Sequence, residues 1–160
     1  MLSVIVTFYD ETAYLRTALR SVRNQGIDRV ELIVINDNPA QFDEAKLADL
    51  TRGFDARVIH HTENRGLSAA RNTGIGAANG GWIAFLDADD YYTHRGLADQ
   101  YAYARDTGAD ITHAACYLGA ESSVHSTLLH RDARLHMSQR GVTGRMAALE
   151  ALFIVSSWSS

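Results

Sequence analysis

The sequence is short of several things, and each shortage closes off a class of protein. A single cysteine, Cys116, among 160 residues rules out an internal disulfide, leans towards a reducing compartment and reads as a small core residue. No window comes near the roughly 18–20 apolar residues that a membrane span requires. The opening MLSVIVTFYDE has too short an apolar run for a signal peptide, no basic flank before it and no small-residue cleavage site after it. A cytoplasmic chain is therefore expected, with any membrane docking left to parts of a longer protein. Positive charge is scarce as well. Fifteen Lys and Arg against 19 Asp and Glu leave a net charge of −4 and a pI near 5.9, a poor match to a nucleic-acid backbone or an anionic membrane. The one proline sits in the turn NDNPA, and no repeat or low-complexity tract interrupts the chain.

What is present is the composition of an ordinary globular protein, 46% apolar and 21% charged, at a length that supports one substantial core. SVIVTF (3–8) and VELIVI (30–35) are near-continuous apolar runs, as expected of strands covered on both faces. Between them Leu15, Ala18, Leu19 and Val22 recur at helical spacing, so a helix is expected over 11–25, with Asp10 as its N-cap and Gly26 as its end. A polar helix follows over 41–52, with Phe42, Ala45 and Leu50 available to bury. RVIHH (57–61) is a third strand, SAARNTGIGAAN (68–79) a helix opening on Ser68, and GWIAFL (81–86) a fourth strand. Leu97, Tyr101 and Ala104 mark another helix, and 109–118 a fifth strand. Residues 119–141 read as a loop or irregular hairpin, and 144–155 as helical.

Strand and helix alternating in this way predict a doubly wound α/β fold, a mostly parallel sheet with helices on both faces. Ligands bind such sheets outside the carboxyl ends of the strands. Those ends carry Thr7-Phe8-Tyr9-Asp10, Asn36-Asp37-Asn38, His60-His61 and Asp87-Ala88-Asp89. The last continues into Asp90, three carboxylates within four residues. One aspartate at a strand end needs only a turn or a cap to explain it, and Asp90 fits that account. Three repel one another unless a cation or a donor compensates. The spacing Asp-x-Asp aims two carboxylates at one point, which suits a hard divalent cation with positions left open for phosphate.

The stretch NRGLSAARNTGIGAANGGWIAFLDADD (64–90) closely resembles a signature of the family-two inverting glycosyltransferases, which have the GT-A fold, a Rossmann-like nucleotide-binding half. The matching residues are Asn64 and Gly66, then Ala70-Arg71-Asn72 with Gly74, Gly80-Gly81, and Asp87, Asp89 and Asp90. SVIVTFYD and VELIVINDN look like the same family's first and second strands, so the likeness runs from residue 3 to about 115. It implies a donor that is a nucleotide-diphosphate sugar, most often a uridine one, and an acceptor that is a glycan or a lipid-linked sugar. It places Thr7 and Tyr9 against the nucleoside, with the Tyr9 ring stacked on the base, and Phe8 in the core. Glu11 lies near enough to touch the nucleotide, though a helix dipole explains it equally well. Asp37 would accept the ring N–H of uracil; the preceding position, acidic in the family, is Asn36 here. Arg71, read as lying in the first turn of its helix, would sit beside base or diphosphate. Asp87 and Ala88 fall near ribose and sugar, and Asp89 on the Mn²⁺ or Mg²⁺ that bridges the phosphates.

Two other patterns carry less. GIGAANG (74–80) mimics a dinucleotide loop, but such a loop opens a helix and these glycines close one. The seven histidines, His60 and His61 included, lack ligand spacing and read as surface or strand-end residues. The family's general base belongs to a later Glu-Asp segment. The later acids Asp99, Asp106, Asp110, Glu121, Asp132 and Glu150 are nowhere adjacent. The expectation is therefore a nucleotide-sugar-binding domain over 1–118 and the start of an acceptor-side region over 119–160, with the base outside this chain. A nucleotidyltransferase would need a Gly-rich basic loop after the first strand, where TFYDET has neither glycine nor lysine. A non-catalytic nucleotide or metal-binding module is the remaining alternative.

Overall fold

A computed structural model describes residues 1–114 and 126–130. Cys116, the far end of the expected fifth strand and the helix expected over 144–155 lie outside them. In chain order the elements are β1 (Leu2–Phe8), α1 (Leu15–Arg23), β2 (Val30–Asn36), α2 (Glu44–Leu50), β3 (Ala56–His60), α3 (Leu67–Ala77), β4 (Trp82–Asp87), α4 (Gly96–Thr107), β5 (Ile111–Ala114) and β6 (Ser126–His130). They build one sheet in the order β3-β2-β1-β4-β6-β5. The first four strands in that order are parallel, and β6 runs antiparallel to both β4 and β5.

Period-two alternation explains why β1 is buried throughout. Leu2, Val4, Val6 and Phe8 face a core shared with Leu15, Ala18, Leu19 and Val22 of α1, Leu47 of α2 and Leu97 and Ala104 of α4. Ile5 faces the other side, with Ile33, Ile35, Ile83, Phe85 and Ala70 of α3. Helices thus cover both faces, and the doubly wound reading holds. The chain winds outward from β1 to β3 and then returns through α3 to place β4 on the other side of β1. The strand order reverses at β1 and β4, where a crevice opens at the strands' carboxyl ends.

Four local expectations need correcting. Asp10 caps nothing: α1 starts at Leu15, with no side-chain cap. Instead the Glu11 carboxylate accepts the N–H groups of Tyr9 and Asp10, at 2.8 and 2.9 Å, and closes a tight turn at the end of β1. Ser68 does not open α3, because Gly66, at φ 83°, takes the capping position. Asp43 caps α2 through the Lys46 N–H, which sets the helix phase so that Leu47, not Ala45, is buried. Finally, β6 lies inside the stretch read as a loop or irregular hairpin, and the sheet continues beyond residue 118.

One of the two glycines of α3 serves packing. Gly74 sits in the last turn, and a Cβ there would run into Cγ2 of Ile5 and lie 3.0 Å from its Cγ1. Ile5 is fully buried, so it has nowhere to yield. Helix propensity alone would make Gly74→Ala stabilising by about 1 kcal/mol. Overpacking of about 1–3 kcal/mol opposes it, so the expected result in urea unfolding is a net loss of about 1 kcal/mol.

Candidate donor site

The crevice is a cleft of about 390 Å³ whose lining includes Thr7, Tyr9, Glu11, Asp37, Asp87, Ala88 and Asp89. Seven of the eight site residues expected from sequence therefore meet in one place. The eighth, Arg71, reaches the cleft through Asp87. Asn64, Gly66, Leu67 and Ala70 complete the wall; the first two belong to the Asn-x-Gly turn, and Leu67 and Ala70 to the first turn of the helix it opens. Phe8 also lines the cleft but is buried at 1% exposure in the core, as expected, while Tyr9 on the lip is 47% exposed.

The Asp-x-Asp spacing works through the pleat. The Ala88 N–H donates to the Thr7 carbonyl at 3.0 Å, carrying the β1–β4 ladder one step past the strand. Successive side chains of an extended segment point to opposite faces. Ala88 accordingly turns into the α1 core, and the aspartates on either side of it face the opening. Asp90 is buried and its N–H returns to the Asp87 carbonyl at 3.0 Å, a turn role as expected.

Asp87 is held from two sides. Its register partner Thr7 donates a hydroxyl to Oδ1 at 2.7 Å. Arg71 Nη2 donates to Oδ1 at 2.9 Å and Oδ2 at 3.0 Å, while its guanidinium lies over the Phe85 ring. Arg71 is the fifth residue of α3, so it stands in the second turn and not the first. Its charge is spent on Asp87 and not on a free helix end. Beneath this pair the Tyr92 hydroxyl donates to the Phe85 carbonyl at 2.8 Å. Burial first, and then the negative charges of Asp87 and Asp90, push that phenol far above the ordinary tyrosine range, so it stays neutral.

The other wall turns on Asp37. Its Oδ1 accepts the Arg65 N–H at 2.8 Å and meets His61 Nδ1 at 2.6 Å; its Oδ2 accepts the Gly66 N–H at 2.7 Å. Asp37 therefore ties the end of β2 to the turn that opens α3. His61 is the residue that sequence reading passed over. It stands at a strand end as expected, but it is buried and spans Asp37 and the Thr73 hydroxyl, 2.8 Å from Nε2. No spacing rule flags a single histidine, so the signal was absent. Asn36 explains its own departure from the family pattern. Fully buried, it donates to the Phe42 carbonyl at 2.6 Å and accepts the Asn38 N–H at 3.0 Å, and an ionised aspartate cannot donate.

A family model described as Glycosyl transferase family 2 matches residues 3–157, and the chain belongs to that family. EpsH of Bacillus subtilis is 40% identical over 89 residues, 56% of this chain and 26% of EpsH, so the chain spans about a quarter of that relative's length. S. aureus TarS, solved with UDP-GlcNAc, superposes with a TM-score of 0.60 at 25% identity, over 69% of this chain and 32% of TarS. The mannosyltransferase PcManGT from Pyrobaculum calidifontis, solved with GDP-Man and Mn²⁺, gives 0.66 over 82% of this chain and 44% of that one. At 19% identity it bears on the fold alone, and the fold is that of the GT-A glycosyltransferases.

Proposed function

We propose that this chain holds the donor of a sugar transfer, a UDP-sugar, in the cleft between β1 and β4. The sugar would pass to an acceptor hydroxyl, on a glycan or a lipid-linked sugar, with inversion at the anomeric carbon. The observation that carries this reading is the arrangement at the strand ends. Asp87 is ion-paired with Arg71 and hydrogen-bonded by Thr7, and Asp89 stands exposed two residues on, at the same opening. Support for the uridine nucleotide comes from the TarS complex and from Asp37. Three donors occupy that carboxylate, of about four acceptor sites it owns, which leaves one on Oδ2 for an imide N–H. Tyr9 offers its ring to the base, and Glu11 and Ala88 shape the floor beside it.

The donor set fits a divalent cation that arrives with its diphosphate. Among the described residues no group of three or more acidic, His or Cys side chains converges on one point, and Asp87 is already engaged. Asp89 is then one carboxylate, and Mg²⁺ or Mn²⁺ is commonly held by one or two carboxylates plus substrate phosphates. Such an ion, when bound, offsets the charge that develops on the leaving diphosphate. The chain's own part is to position: Asp37 and Tyr9 the base, Asp87 the ribose and sugar, Asp89 the ion. The proton acceptor for the acceptor hydroxyl is placed outside this chain, residues 1–118 are assigned to donor binding, and 119–160 to the start of the acceptor side. No helix among the described residues is long and apolar enough to cross a membrane; the reading places the domain in the cytoplasm.

Calorimetry with UDP tests this. Binding is expected to tighten about tenfold when Mn²⁺ is added, and Mn²⁺ alone should give no heat of binding, because one carboxylate is a poor site. Asp89→Ala should erase the Mn²⁺ effect. A chain that ignores UDP under both conditions is a different kind of binding module.

A further inference from the structure

We propose that His61 is a positioning residue for the donor cleft, and that it works through Asp37. The proposal rests on the donor reading above, but its geometry is independent of any ligand. His61 follows the last residue of β3, and its N–H continues the sheet by donating to the Asn36 carbonyl at 2.9 Å. The imidazole is 3% exposed and lies between two polar groups, Asp37 Oδ1 at Nδ1 and Thr73 Oγ1 at Nε2. Asp37 Oδ1 can only accept, so Nδ1 carries a proton. Nε2 then accepts the Thr73 hydroxyl in the neutral ring. Thr73 lies within α3, two residues beyond Arg71.

This single ring therefore joins three parts of the cleft: the end of β2, the middle of α3 and, through Asp37, the Arg65–Gly66 turn. The same Asp37 oxygen that meets His61 accepts the Arg65 N–H. Rotation of Asp37 would release that turn and move Asn64 and Leu67, which line the cleft opposite Tyr9. It would also swing Oδ2 away from its fixed direction. The geometry of such a group holds only where its neighbours lock its rotamer, and His61 gives Asp37 a side-chain hydrogen bond beside the two backbone ones.

Two substitutions separate positioning from bulk stability. The Nδ2 of His61→Asn stands where Nδ1 stood and can still donate to Asp37, while losing Thr73. The Nε2 of His61→Gln reaches the Thr73 side and forfeits Asp37. Amide exchange at Arg65 and Gly66, read by NMR in the absence of nucleotide, should accelerate about tenfold in His61→Gln and stay near the native rate in His61→Asn. UDP affinity in the presence of Mn²⁺ should follow the same order, with an approximately tenfold loss in the Gln variant only. Native ¹⁵N shifts should report a protonated Nδ1. Equal exchange rates in the two variants, whether both native or both raised, overturn the proposal, as does an unprotonated Nδ1. Should the native chain fail to bind UDP, the donor reading falls, while the exchange rates still decide whether His61 holds the turn.

Discussion

Asp37→Ala is expected to cost the domain about 3 kcal/mol in urea unfolding at pH 7. The estimate follows from what the carboxylate satisfies. His61 is buried and would keep an N–H without an acceptor, at about 1–3 kcal/mol. The Arg65 and Gly66 N–H groups lose partners too, but both residues are exposed and regain water, so each adds only about 0.5–1 kcal/mol. The pH dependence gives a second check. Burial works against the Asp37 anion, yet hydrogen bonds from the Arg65 N–H, the His61 side chain and the Gly66 N–H, joined by the charge of His61 once that ring is protonated, outweigh it and hold the carboxyl below its ordinary range. A depressed group stabilises fully above its unfolded value, about 3.9, and its contribution fades as pH falls through the lower folded value. The gap between native chain and variant should therefore be constant from about pH 7 to 5 and close in acid. Glu31 is also depressed, its burial outweighed by hydrogen bonds from Ser3 and Asn79 and by Arg57, but it acts equally in both proteins and cancels. A loss below about 1 kcal/mol would mean the turn is held by something else.

The parts of this fold legible in sequence are those whose pattern is local. β1, β2 and β4 are covered on both faces and are written as near-continuous apolar runs, and α1 shows its buried stripe at helical spacing. Boundaries were less legible because competing side chains decide them. Asp10 and Glu11 both have the chemistry of a cap. The longer Glu11 side chain reaches back to two N–H groups at once, and the helix starts four residues later. β6 depends on β4 and β5 for every backbone partner it has in the sheet, and a strand defined by distant pairing leaves little local trace.

The site divides in the same way. Residues within a step or two of a strand's carboxyl end meet in the cleft, where topology alone directs attention. Their partners are not marked in that way. That Arg71 meets Asp87, and that Thr73 meets His61, depends on which positions of α3 face the sheet. That phase is set by the close approach of Gly74 to Ile5. Residue types are local and legible, whereas pairings depend on the fold. The pairings also alter the chemistry: the second strand's acidic position is largely occupied by the protein itself, three donors already sitting on the Asp37 carboxylate.

Arg71→Met should reduce UDP affinity about a hundredfold while leaving the fold largely intact. Methionine keeps the length and the contact with Phe85 but removes the charge. The guanidinium is only 12% exposed and binds both oxygens of Asp87, so its loss leaves that carboxylate with Thr7 and solvent. Asp87 is 29% exposed and can rehydrate, which limits the stability loss to about 1–2 kcal/mol, less than for a fully buried pair. Binding suffers more. A unit positive charge about 6 Å from a phosphate, at an effective dielectric near 20, is worth about 2.8 kcal/mol, or roughly a hundredfold. Without it the diphosphate meets Asp87 and Asp89 with one less compensating charge. Arg71→Lys restores the charge but not the two-pronged contact, and should recover about tenfold of the loss. If Met, Lys and the native residue bind UDP alike, while melting falls only in the first, Arg71 is a packing residue and the diphosphate lies elsewhere.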